Sequence, residues 1–301
     1  MNIKHLTLFL ILVSSLFLVS CTDSKDTKTT TSKVFIGGTQ GAVTKFEAFG
    51  VTENNIYTVY DTEEFPLEVT LTNKGEYDLK AGDVEVSLLG PSKKEFSGIS
   101  SWKLKNKAKI DKVSKLLTTG GEETVTFAKK AKHTGDVTGL QQRTWFANAD
   151  YNYETYLIIP EVCLKEDLTD KRVCKVSEKK TFHVSGAPVT VSSVEQSTAG
   201  KGIMALKIKI ADKAAGKVTK QGSDFGTREE LTYSIDDSDW ECKSGGRVNE
   251  AKLIKDQAEL LCKLKKSLTK DTLSTRQLKI TFKYTYRSLI QEKLGIKEST
   301  K

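Results

Sequence analysis

From Val34 onward the chain is written in period two. Leu67, Val69 and Leu71 are separated by Glu68 and Thr70, Asn73-Lys74-Gly75-Glu76 supplies a turn, and alternation resumes at Val84, Val86 and Leu88. Trp145, Ala147, Ala149, Tyr151 and Tyr153 then alternate with Phe146, Asn148, Asp150 and Asn152. After residue 186 the pattern returns in Val189 and Val191, in Met204, Leu206, Ile208 and Ile210, and in Leu231, Tyr233 and Ile235. It continues in Ala258, Leu260, Cys262 and Leu264, and in Leu278, Ile280, Phe282, Tyr284 and Tyr286. Side chains on a strand point to opposite faces in turn, so each run has one dry and one wet face, as antiparallel sheets require. Many short strands, polar loops and few helical periods predict an all-β sandwich fold.

Two stretches recur in the same order. Leu67-x-Val69-x-Leu71-x-Asn73-Lys74 matches Leu206-x-Ile208-x-Ile210-x-Asp212-Lys213, and Leu206 follows Leu67 by 139 residues. Tyr151-x-Tyr153-Glu154-Thr155-x-Leu157 matches Tyr284-x-Tyr286-Arg287-Ser288-x-Ile290, with Tyr284 following Tyr151 by 133. Similar offsets predict two tandem domains of one fold with different loop lengths, residues 34–185 and 186–301. Ser185-Gly186-Ala187-Pro188 breaks the pattern between them.

The first 20 residues read as a secretory leader, with a positive charge at Lys4 and an apolar run from Leu6 to Val19 that is short for a membrane span. Leu18-Val19-Ser20-Cys21 resembles the lipobox of prokaryotic lipoproteins. That resemblance implies cleavage before Cys21 and a lipid on its thiol. Residues Thr22 to Lys33 hold no apolar side chain and cannot bury a core, so segment 21–33 reads as a lipidated cysteine and flexible tether. At full stretch those twelve residues reach about 40 Å.

The segment Phe65-Pro66-Leu67-Glu68-Val69-Thr70-Leu71-Thr72-Asn73-Lys74-Gly75 resembles a strand that recurs in the immunoglobulin-like, CARDB-like β-sandwich modules of prokaryotic surface proteins. The likeness is clearest over residues 60–90 and reaches the second domain through the internal repeat. It implies two immunoglobulin-like sandwiches with adhesion or scaffold roles, and fixes no ligand. One departure is plain, since no cysteine pair spans a domain around a central tryptophan as in antibody domains.

Composition narrows the chemistry. A net charge of +8 rests on 47 Lys and Arg against 39 Asp and Glu, and only six of the cations are arginine. Arginine is the residue for bidentate phosphate contacts, so nucleic acid is not an expected partner. Besides Cys21 there are four cysteines, Cys163, Cys174, Cys242 and Cys262, and export makes disulfides the default. Three pairings are open; proximity favours Cys163 with Cys174 and Cys242 with Cys262. The alternative, a four-cysteine metal site, lacks any Cys-x-x-Cys pair.

Asp236, Asp237, Asp239 and Glu241 lack the glycine and distal glutamate of an EF-hand and read first as a solvated acidic turn, and no metal is expected, although they are the first place to look if Ca²⁺ binds anywhere. Lys103, Lys105, Lys107 and Lys109 would share one face of a strand, either touching anionic polymer or blunting a sheet edge. Tyr151, Tyr153 and Tyr156 are core residues on the plainer reading and a ligand platform on the other. Beyond the leader there are only His133 and His183, and no nucleophile-elbow, zincin or P-loop spacing occurs. No enzyme and no cofactor is expected. The expectation is a lipid-anchored, extracytoplasmic binding or scaffold module at the cell surface, with an envelope protein or polymer as partner. Its rivals are a subunit that binds by β-augmentation and a carboxylate-dependent hydrolase of polysaccharide or cell wall.

Overall fold

Strands form where apolar and polar residues alternate, and they assemble into three sheets. The computed structural model describes residues 34–300; the leader 1–20, Cys21 and the tether to Lys33 lie outside the described residues. A four-stranded sheet has the order β1 (Ala42–Phe46), β4 (Glu64–Asn73), β8 (Glu122–His133), β6 (Phe96–Ser97). A six-stranded sheet runs β10 (Glu178–Lys179), β12 (Val189–Gly200), β13 (Ile203–Asp212), β19 (Gln257–Leu264), β16 (Trp240–Ser244), β17 (Arg247–Val248). The main path of the largest sheet is β18 (Glu250–Leu253), β15 (Glu229–Ile235), β20 (Leu273–Lys297), β9 (Leu140–Lys165), β5 (Val84–Gly90), β7 (Lys103–Lys105). Short strands add to it: β2 (Val51–Glu53) with β3 (Ile56–Tyr60), β11 (His183–Val184) and β14 (Lys217–Thr219). The chain is all-β and sandwich-like, with a short 3₁₀ turn at Lys93–Glu95. Among the described residues no helix is long and apolar enough to cross a membrane.

Parity on β9 shows how the layers stack. Trp145 lies against Phe65 of β4, ring centroids 6.4 Å apart, while Thr155 Oγ1 donates to the Val189 carbonyl of β12 at 2.7 Å. Both are odd-numbered and so face the same side of the strand. The two smaller sheets therefore cover one face of the largest. Their shared core is a single contiguous apolar cluster running from Ala42 to Ile296.

What alternation does not anticipate is the partner of the longest strands. β9 and β20 pair antiparallel along nearly their whole length, from Leu273↔Lys165 to Lys297↔Leu140. One strand comes from each of the segments 34–185 and 186–301, so those segments share one central ribbon. The described residues, 34–300, form one compact unit.

The internal repeat acquires a physical cause here. β1, β4 and β8 are neighbours in one small sheet, as β12, β13 and β19 are in the other; β5 pairs β9, and β15 pairs β20. In the middle of the ribbon Tyr151 faces Tyr286 and Tyr153 faces Tyr284. Tyr153 Oη donates to Asn73 Oδ1 at 3.1 Å, and Tyr286 Oη donates to Asp212 Oδ1 at 3.2 Å. Asn73 and Asp212 are the matching ends of the repeated strand, so the repeat preserves a buried hydrogen bond as well as a hydrophobic face. All four tyrosines are buried, which makes them core. Gly75 sits beside them because a Cβ there would lie 2.1 Å from Tyr153 Oη and 2.6 Å from the Gly186 carbonyl.

Candidate functional site

Both disulfides form in the pairing that proximity favours, Cys163–Cys174 and Cys242–Cys262. Cys242 lies directly across from Cys262 on neighbouring strands β16 and β19. The other bridge ties the end of β9 to the loop that follows it. Inside that loop the buried Lys165 donates through Nζ to the carbonyls of Asp170, Arg172 and Cys174 at 2.7, 2.9 and 2.6 Å. A buried ammonium is tolerated where its donors are met, and this one holds the loop as a bound cation would. Two disulfides fit an oxidising, extracytoplasmic compartment.

The acidic run is divided among three donor residues, Lys279, Lys243 and Arg276. Asp236 Oδ1 accepts from the Lys279 amide at 2.8 Å, and Glu241 pairs with Lys243 at 2.7 Å. Asp237 Oδ2 and Asp239 Oδ2 both accept from Arg276 Nη1, at 2.7 and 3.0 Å. Burial acts to raise the Asp237 carboxyl, and Arg276 with the Asp239 amide more than reverses this, leaving it below its ordinary value. Of the four carboxylates considered for Ca²⁺, Asp237 and Asp239 thus share one guanidinium, while Asp236 and Glu241 face other donors. Among the described residues no group of three or more His, Cys, Asp or Glu is placed to hold a metal.

The lysines singled out in the sequence do not share one strand face, since β7 ends at Lys105, and the side chains of Lys103, Lys105 and Lys109 are engaged by carboxylates. Lys103 and Lys105 lie on β7, the edge of the largest sheet, and reach Glu85 at 2.7 and 3.9 Å. The Lys107 amide donates to Glu123, and Lys109 bridges Asp78 and Asp111 at 3.2 and 2.7 Å. Charged side chains on an edge strand discourage pairing with another sheet. Tyr156 is half-buried; its hydroxyl donates to Glu154 at 2.9 Å, and Lys279 Nζ lies 4.9 Å from its ring centre. His133 is buried against Phe96, and His183 belongs to β11.

Two clefts adjoin on the half that carries the disulfides. The first, about 540 Å³, opens beside β15 and β16 and is lined by Tyr233, Ile235, Asp237, Trp240, Glu241 and Glu250 among others. The second, about 570 Å³, is lined by Leu164, Leu264, Leu268, Lys265, Lys266 and Arg276, with several hydroxyls. They share Ser238 and Lys265. Volumes of this size suit a small molecule or a few residues of a polymer. The strands hold the walls in place: Cys242 lines the first cleft, and Leu164, next to Cys163, lines the second. The two clefts differ in sign, one dominated by carboxylates and the other by cations. Neither histidine lines either cleft.

Sequence reasoning found the disulfides and the acidic run but passed over Arg276, which joins them to the second cleft. Scarcity was the available signal, since Arg276 is one of six arginines in a lysine-rich chain.

No protein-family model matches this chain, and no curated protein matches it. Among solved structures, the secreted serine protease VesC from Vibrio cholerae aligns over 84% of this chain and 51% of its own, at 11% identity. The chain spans about half of that protein, and with a TM-score of 0.17 the likeness carries no argument about fold or activity.

Proposed function

We propose that the chain is a non-catalytic binding or scaffold module of a cell envelope, held outside the cytoplasm by a lipid on Cys21. Two immunoglobulin-like sandwiches in tandem, residues 34–185 and 186–301, would then be joined by exchange of their last long strands. One observation supports a binding role above the others: two adjoining clefts of opposite sign, rooted on strand ends and braced by both disulfides. Rigid support of this kind orients groups for recognition. Intact-mass analysis and non-reducing peptide mapping of the chain made with its own leader test the location. The expected result is loss of residues 1–20 and a lipid adduct on Cys21; an uncleaved chain overturns the reading. Capture on intact cells by a crosslinker placed at Ser238 tests the role.

Binding by β-augmentation is a second reading, supported by a specific edge. β20 pairs β14 as far as Arg287 and β3 from Leu294, and on that side Ser288 to Lys293 have no strand partner among the described residues. β1, the outer strand of the four-stranded sheet, is likewise open on one side. A proline at Gln291 would block strand addition there, and unchanged partner capture by that variant would exclude this route.

A further inference from the structure

Arg276 is held differently from two other arginines on this molecule. Arg172 directs Nε and Nη2 together at Asp170, at 3.1 and 2.7 Å. Arg287 does the same to Asp150, both contacts at 2.6 Å. That Nε–Nη2 edge is the fork that matches the two oxygens of a carboxylate or phosphate. Arg276 instead is anchored through Nη1 alone, to Asp237 and Asp239. Its Nε and Nη2 make no hydrogen bond among the described residues, and the side chain lines the second cleft. Two carboxylates thus hold the guanidinium at its Nη1 end, Asp237 from the first cleft and Asp239 from the lining of the second.

The surroundings fit the same ligand. Lys265 and Lys266 line this cleft, and neither forms an ion pair among the described residues. The one carboxylate in the lining is Asp239, already bonded to Arg276. Ser238 and Ser274 add hydroxyls whose Oγ atoms have no partner among the described residues, and Leu164, Leu264 and Leu268 add an apolar wall. An oxyanion alone would use the cations, whereas a sugar carrying one would also use the hydroxyls and the apolar surface.

We propose that the second cleft binds an acidic saccharide, a sugar bearing a phosphate or carboxylate, with Arg276 gripping the oxyanion through Nε and Nη2 and Lys265 and Lys266 neutralising it. Asp237 and Asp239 act as positioning residues that hold the guanidinium. The inference deepens the reading of the chain as an envelope binding module and rests on it.

The test titrates the full chain with glucose 6-phosphate, glucose and inorganic phosphate by calorimetry. Glucose 6-phosphate is expected to bind saturably and more tightly than either of the others. Arg276→Lys, which keeps the charge and loses the fork, should weaken it about tenfold, and so should the double variant Lys265→Gln/Lys266→Gln. Lys263→Gln, an exposed lysine on β19 outside the cleft, should leave it unchanged. Because Arg276 also ties down an acidic turn, the lysine variant, whose side chains make no ion pair, keeps the test separate from folding. Equal binding of glucose and glucose 6-phosphate, or affinity unmoved by either variant, overturns the proposal. Displacement of glucose 6-phosphate by phosphatidylglycerol vesicles at matched phosphate would reassign the cleft to lipid headgroups and overturn the saccharide assignment. Failure here with Cys21 lipidated and partner capture intact sinks this inference alone, while an uncleaved chain sinks the reading beneath it.

Discussion

In the half built on the four-stranded sheet, Trp145 lies among Phe49, Phe65, Phe96 and Trp102, with ring centroids between 4.9 and 6.4 Å away. In the half built on the six-stranded sheet the buried rings of Tyr233, Trp240 and Phe282 form no ring pair among the described residues, and two disulfides serve instead, Cys242–Cys262 joining β16 to β19 and Cys163–Cys174 closing the loop after β9. The winding order is the same; the means of holding it are not. Clustered rings bring large apolar area and geometric preference to one half of the shared core, whereas covalent closure restricts the unfolded chain in the other half. The comparison teaches that a repeated topology constrains where strands lie but leaves open which chemistry secures them. It also places the clefts: they lie on the cross-linked half.

The strongest way to break the comparison is Trp145→Ala, which should cost about 3–5 kcal/mol by emptying the centre of the aromatic cluster. Guanidinium denaturation of wild type and variant, oxidised and reduced, would measure it, and an effect under about 1 kcal/mol would refute the role given to the cluster. Next comes removal of each disulfide. Cys163→Ser/Cys174→Ser and Cys242→Ser/Cys262→Ser open loops that the bridges close across sequence separations of 11 and 20, and each should destabilise by about 3 kcal/mol in the chain-entropy picture. The first pair should also loosen the Lys165 loop, read as faster amide exchange at Arg172 and Cys174.

A smaller effect tests the equivalence itself. Tyr153→Phe removes the bond to Asn73 together with an acceptor of the Tyr77 amide at 3.4 Å, Tyr286→Phe removes the bond to Asp212, and each should destabilise by about 1 kcal/mol in thermal unfolding. A large difference between them would show that the two bonds do not do the same work.

The finest test separates Asn73 from Asp212. Burial raises the Asp212 carboxyl to about 6, against the Ala214 amide and Tyr286 hydroxyl that favour its charged form. The folded chain therefore holds this proton more tightly than the unfolded one, so the associated stability is full below about pH 4 and is lost as pH rises through about 6. Asp212→Asn, which copies the first half, should flatten that part of the stability profile. An unchanged pH slope would place the titration elsewhere.

Much of this was legible in the sequence. Period two located the strands from Leu67 to Leu71 and from Leu278 to Tyr286, and the repeat marked Asn73, Asp212 and the tyrosine pairs before any contact was known. Cysteine spacing pointed to the two bridges. Alternation reports which face of a strand is dry, however, and says nothing about which strand lies alongside. The pairing of β9 with β20 was therefore invisible, although both runs were recognised. Arg276 was missed for a related reason: its contacts to Asp237 and Asp239 span 39 and 37 residues, and nothing local marks them. The same spacing argument left the acidic run and the lysine strand open, because a charge in sequence does not disclose its counter-ion.

The shared ribbon also sets a schedule. A chain delivered from its N-terminus presents β9 long before Leu273–Lys297 exist to pair with it, so the two smaller sheets have all their strands before the largest sheet, which needs β20, can be completed. Loop closure across more than 100 residues then has to precede the contacts that reward it, which slows formation of the native state. In the interval the long edge of β9 stands ready to accept a foreign strand. A molecule wound this way depends on holding its first half in check until its final strand arrives.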